Sequence, residues 1–300
     1  MAKADIAALL ALCAALCVAI GDVIQQRSAH DVTDEPVGHL ALFIRLLKDR
    51  RWWLGSLVAG AGFAFQAAAL GFGSVLLVQA LLVTSLLFAL PISAKFTGRR
   101  VTRRQWIWAV LLAGAVAVIV TVGNPTEGHS RAALEIWTWV AATLGPALAL
   151  CLLGARIWAG KPVAAVLLGL VSGSLWGLFA VLTKGVVHRL DHGIWAVLKA
   201  PELYPWALVA VSATALQQSA FRAGSLAASL PAVTVSEPLV GSVLGIFVLG
   251  EALRPGRSGW VGLGLAVVVM VAATIALARG EATAKTASAP GAEPAEQPGG

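Results

Sequence analysis

The sequence predicts an all-α polytopic membrane protein: about nine transmembrane helices in two inverted four-helix repeats joined by a linker helix. Three observations lead there. The chain is 58% hydrophobic and only 12% charged, with a mean hydropathy of +0.83; a soluble domain carries about twice that share of charge. Apolar runs of 17 to 24 residues, enough to cross a hydrocarbon core of roughly 30 Å, recur from end to end. The two halves also resemble each other at a constant offset of 151 residues, where "LKDRRWWLGSLVA" (47–59) falls on "LKAPELYPWALVA" (198–210), Gln66 on Gln217, and Gly-Ser 73–74 on Gly-Ser 224–225.

The elements follow in order. Residues 1–26 hold the first span, 5–26. Residues 27–51 form a loop that leads through "VGHLALFIRLLKDRRWW" (37–53), read as an interfacial amphipathic helix with a Trp anchor. Spans at 52–71, 75–95 and 105–122 complete the first repeat over 52–122, and the linker region 123–162 carries a span at 134–154. The second repeat, 163–278, has spans at 163–186, 206–222, 228–249 and 258–278, with "HGIWAVLKAPELYPW" (192–206) as the counterpart of the amphipathic helix. The tail 279–300 is rich in Ala, Pro, Gly and Glu, cannot bury apolar surface, and is expected to be disordered. A repeat displaced by five crossings is inverted in the membrane, a recurring build of secondary transporters.

Orientation comes from the basic residues. The loops after spans one, three, five and seven, with the tail, hold 15 of the 22 Lys and Arg. The positive-inside rule then places the N-terminus outside and the C-terminus in the cytoplasm of a multi-pass cell-membrane protein. The net charge of +7 is thus a topology signal and gives no support to nucleic-acid binding. Cys13, Cys17 and Cys151 lie in apolar runs and read as small buried hydrophobes. All five His residues are assigned to loops. No zinc pattern, cofactor motif or catalytic pairing is apparent, so neither an enzyme nor a bound cofactor is expected.

The residue that draws attention is Glu237, inside "SEPLVGSVLGIFVLGEALRP" (236–255). Nine residues past the start of its span, it lies about 13 Å from that end, near the midplane. A carboxylate there costs several kcal/mol unless protonated, paired or wetted. Thr234, Gly241 and Gly245 share its face, and Pro238 frees a backbone carbonyl one turn back. Asp22, with Gln25 and Gln26, reads either as a gate or cation ligand or as an interfacial group beside Arg27. Gln66, Gln79, Gln217 and Gln218 read either as substrate-holding amides or as interhelical glue. Gly169, Gly173, Gly177, Gly241 and Gly245 form small-residue packing seams. Lys184 and Arg222, placed at span ends, are expected to snorkel to the interface, and Glu251 to make a local loop lock beside Arg254 and Arg257.

Glu237-Pro238 early in one helix, Gly250-Glu251 at its end, a short turn and the Gly-rich last run 258–278 resemble the second repeat of the drug/metabolite transporter superfamily, EamA-like group. "ALPISAKFTGRRVTRRQWIWAVLLAGAVAVI" has the same outline in the first repeat, with Gly98-Arg99 where the pattern has Gly-Glu. The Trp-Trp helix "RRWWLGSLVAGAGFAFQAAALGFGSVLLVQALL" resembles the NIPA-like branch, which is associated with magnesium transport and a nine-span layout. The resemblance implies a secondary transporter of a small polar metabolite or drug, working by alternating access. The alternatives are a divalent-cation (magnesium) transporter and a non-transporting membrane scaffold. Expected partners are the lipid bilayer, the small-molecule or cation substrate, and a second copy in a homodimer. No Walker loop is present for direct ATP drive.

Overall fold

The computed structural model describes residues 3–32, 50–97, 101–190, 192–200, 202–223, 226–256 and 259–287. These form α1 (Lys3–Val32), α2 (Arg50–Phe72), α3 (Val75–Leu82), α4 (Ser85–Thr97), α5 (Arg103–Thr121), α6 (Leu134–Ile157), α7 (Pro162–Leu190), α8 (Ile194–Leu198), α9 (Leu203–Ala223), α10 (Leu226–Leu249) and α11 (Gly259–Ala287). The protein is an all-α polytopic chain. Its one sheet among the described residues is a two-residue antiparallel pairing of β1 (Pro125–Thr126) with β2 (Ala252–Leu253).

Eight spans among the described residues are long and apolar enough to cross a membrane, α3 and α4 counting together through Val75–Ile92. The ninth expected span, 206–222, falls in α9, which has 21 residues but is not among the eight. Its C-terminal third carries Gln217, Gln218 and Arg222, which lower its hydropathy.

Several expected boundaries move. The span at 75–95 is broken at Val83–Thr84, where the bonds from Thr84 N to Leu81 O and from Leu86 N to Val83 O tighten the turn. α7 continues to Leu190 and α1 to Val32, four and six residues past their expected ends, so His188 and His30 are helical rather than in loops. α11 continues to Ala287, so the tail expected to be disordered from 279 begins as helix; 288–300 lie outside the described residues. Of the two expected amphipathic helices, 33–49 lie outside the described residues, and 192–206 contains only the five-residue α8 followed by the start of α9.

The core gathers around α3. Val75, Leu77, Val78 and Leu81 are buried against Ala7 and Ala11 of α1, Ala69 and Leu70 of α2, Ala180 and Val181 of α7, and Leu244 and Val248 of α10. A second cluster joins Ala115 and Ile119 of α5 to Leu263 and Ala266 of α11. Leucine and valine fill the first cluster and alanine most of the second, where helices in lipid gain association from close van der Waals approach. α6 stands at the periphery, packed chiefly on α7, with no buried residue in its most apolar window.

Candidate functional site

Two features on α3 and α10 make up the candidate site: a buried charge cluster at one end, and a glutamate at mid-depth opposite the α3–α4 break. The cluster begins with a helix cap. Gly250, with φ +66°, ends α10; its N–H donates to Ile246 O and that of Glu251 to Gly245 O. This left-handed turn folds the Glu251 side chain back beside Gly245, where a Cβ would lie 2.9 Å from its Oε2. Glu251 is 2% exposed and reaches the N-terminus of α3. Val75 N–H donates to Oε1 at 2.7 Å and Leu76 N–H to Oε2 at 3.0 Å. Leu77 N–H goes to the Ser74 hydroxyl, so the N–H groups of the first three residues of α3 are all satisfied, and Val78 N–H begins the regular ladder on Ser74 O. A carboxylate also suits the positive end of the helix dipole.

Lys184 of α7 completes the cluster. Its Nζ lies 2.8 Å from Glu251 Oε1 and donates to Gly73 O at 2.9 Å. The expectation that Lys184 snorkels is overturned: the residue is 5% exposed. α7 runs six residues past it, so Lys184 faces the bundle rather than ending a span. Glu251, expected to lock its own loop beside Arg254 and Arg257, instead ties α7 and α10 to α2 and α3. A buried pair is tolerable only when its remaining donors and acceptors are satisfied, as the Gly73 carbonyl and the two N–H groups do here.

The surrounding chain meets at the same end. His129 N–H donates to Leu249 O, Arg254 N–H to Gly123 O, and the Thr126 hydroxyl to Ala252 O. Arg131 is paired with Glu202, which also lies 3.6 Å from Arg189. Burial, then the like charge of Arg189, holds the Arg131 guanidinium below its ordinary pKa. Gly128 permits this closure, since a Cβ there would lie 2.0 Å from Leu249 O and 2.7 Å from Glu251 N. Gly128→Ala is expected to cost about 1–3 kcal/mol, read as a lower unfolding midpoint in detergent.

Glu237 is half-buried and is the twelfth of the 24 residues of α10, between Pro231 and Pro238. Its backbone lies on α7: a Cβ at Gly173 would be 3.1 Å from Glu237 N, and one at Gly177 would be 2.6 Å from Glu237 O. Gly169 faces Ser229 O in the same seam. Gly241 and Gly245 turn toward α3. A Cβ at Gly241 would lie 2.6 Å from Gln79 Nε2, and one at Gly245 would lie 3.4 Å from Val75 Cβ. The two helices run antiparallel with Val75 by Gly245 and Gln79 by Gly241. One more four-residue step brings the α3–α4 break level with Glu237. Gln79 is 1% exposed and its Nε2 lacks a hydrogen-bond partner.

The other candidate residues are placed as follows. Thr234 gives its hydroxyl to Leu230 O at 2.6 Å. Gln66 is buried in α2, and Gln218 is exposed. Gln217 accepts from Trp176 Nε1 at 3.0 Å. It thereby anchors an aromatic row in which Phe63, Trp176, Phe179 and Trp206 have successive ring centroids 5.8, 5.4 and 5.2 Å apart. The backbones of Asp22, Gln25 and Arg222 lie in α1 and α9, but their side chains are outside the described residues.

Sequence reasoning missed the Lys184–Glu251 pair. The available signals were a single cation within the apolar run "LWGLFAVLTKGVV" and a glutamate directly after a helix-ending glycine. Nothing local joins residues 67 apart.

Across 284 residues, the chain is 36% identical to the uncharacterized protein Cgl0250/cg0304 of Corynebacterium glutamicum, covering 91% of this chain and 95% of that protein. No model of a known protein family matches the chain. No solved structure matches it either.

Proposed function

For this chain, which belongs to one family with that Corynebacterium glutamicum protein, we propose an integral membrane secondary transporter of the drug/metabolite transporter type. It moves a small polar solute across the cell membrane by alternating access between two inverted halves, with the N-terminus outside and the C-terminus in the cytoplasm. Glu237 is the group that binds the proton or the polar part of the solute.

The observation that carries this reading is the placement of Glu237. It sits halfway along a helix that contains two prolines, level with a break in the facing helix, and one turn from Gly241, against which the buried Gln79 amide lies with an unpartnered donor. Ionisable groups and broken helices at membrane depth mark solute pathways, because lipid cannot satisfy either. The grouping of polar contacts at one end supports the alternating-access part. Lys184 and Glu251 there hold the ends of α2 and α3 against α7 and α10, as a closed gate would. On the positive-inside reading of the loops, that is the outer end.

The test is uptake into liposomes carrying the purified protein and an internal pH dye. The panel comprises amino acids, nucleobases, cationic drugs and magnesium. One organic solute is expected to enter with proton movement, and Glu237→Gln to reduce both to the level of empty liposomes while its unfolding midpoint stays near wild type. Magnesium flux without proton movement replaces the proposal with the cation reading, and absence of flux from well-folded protein replaces it with the scaffold reading. Undiminished transport by Glu237→Gln removes Glu237 from the mechanism.

A further inference from the structure

Twenty residues along α7 from Lys184, roughly 30 Å, α6, α7 and α9 border an open groove of about 730 Å³. Its size is that of a small-ligand site. Leu153 and Arg156 of α6 form one wall, Ala164 of α7 the floor, and Leu216 and Ser219 of α9 the other wall. The groove exists because α6 packs chiefly on α7, where small residues let it lie close, and stands off from α9. The groove is open rather than enclosed, and α6, which forms one wall, has no buried residue in its most apolar window, so that wall faces lipid.

Its polar equipment is one-sided. Arg156 lies in the last turn of α6, and Trp158 and Lys161 follow in the exposed turn to α7. A tryptophan beside basic residues at a helix end marks the headgroup level of a bilayer. No Asp or Glu occurs over residues 136–190 or 203–236, so the three helices at this end offer Arg156 no carboxylate. The ligand therefore needs an apolar chain for the groove and an anion at headgroup depth.

We infer that this groove binds one acyl chain of an anionic glycerophospholipid, whose phosphate rests on Arg156. Basic clefts between membrane helices hold anionic headgroups in this way.

Native mass spectrometry of the full chain in neutral detergent tests the inference. The probes are phosphatidylglycerol, phosphatidylcholine of the same chain length, and inorganic phosphate. Phosphatidylglycerol is expected to be retained in preference to phosphatidylcholine. Arg156→Gln should weaken its retention about fivefold, which corresponds to ~1 kcal/mol for one basic residue at a membrane surface. Ser219→Leu, at an exposed position of the wall, should weaken retention of both lipids, and Lys199→Gln, in the turn after α8, should change neither. Equal retention of the two lipids, wild-type retention by Arg156→Gln or Ser219→Leu, or full competition by inorganic phosphate would each overturn the inference.

Discussion

Replacing Lys184 with methionine is expected to destabilise the folded chain by about 3–5 kcal/mol, because it leaves the Glu251 carboxylate buried without its cation. Glu251→Gln should do comparable damage from the other side, leaving an ammonium 6% exposed at its side chain with only neutral oxygens around it. Glu251→Ala should cost about 1 kcal/mol more, since it also uncaps α3. In the double variant Lys184→Met/Glu251→Gln no charge is buried, and an amide still accepts from one N–H of α3. Its loss should therefore fall short of the sum of the singles by about 1–3 kcal/mol. Unfolding midpoints of the four proteins in one detergent measure this. Strict additivity would show that the two side chains do not act as a pair. Amide exchange gives a local readout, with Val75 and Leu76 protected in wild type and exposed to exchange in Glu251→Ala.

Gly173→Val is expected to prevent α7 and α10 from packing at all, at a cost of at least about 3 kcal/mol. The added Cβ would meet Ser236 Oγ at 2.0 Å and Val233 O at 2.5 Å. The hydroxyl can rotate away, but the carbonyl belongs to the α10 backbone and moves only with the helix. Gly173→Ala should be milder but still destabilising. Gly145→Ala on α6 is the control, because a Cβ there meets nothing within 4 Å and alanine is the better helix former. Folded yield and midpoint after detergent extraction report the outcome. Should Gly173→Ala behave like Gly145→Ala, the seam would not be what holds these helices together.

The same seam bears on Glu237. Its backbone is pinned between Gly173 and Gly177, so the depth of the carboxylate depends on how closely the two helices approach. If Glu237 works as proposed, a seam variant that still folds should alter solute uptake as well as stability. The α7–α10 contact and the α3–α10 contact use alternate faces of one helix, and Gly241 serves both: its N lies 2.6 Å from a Cβ at Gly177 and its own Cβ position lies 2.6 Å from Gln79.

Composition and periodicity determined the membrane class, the approximate places of the apolar helices and the small residues of the α7 seam, because these depend only on local hydropathy and side-chain size. The place of Glu237 midway along its helix also followed from counting. The break at Val83–Thr84 was not legible, as Thr and Ser are tolerated inside helices; in the structure the Thr84 hydroxyl takes the Leu81 carbonyl at the break, a side-chain bond that competes with the helix ladder. Nor were the partners of Lys184 and Glu251. Each lies beside an apolar run whose end is uncertain by a turn, and that uncertainty is the whole difference between a snorkelling lysine and a buried one. Only the tertiary structure decided it, because Val75 stands 176 residues from Glu251 and Lys184 stands 67 from it, and such contacts arise from which helix ends meet.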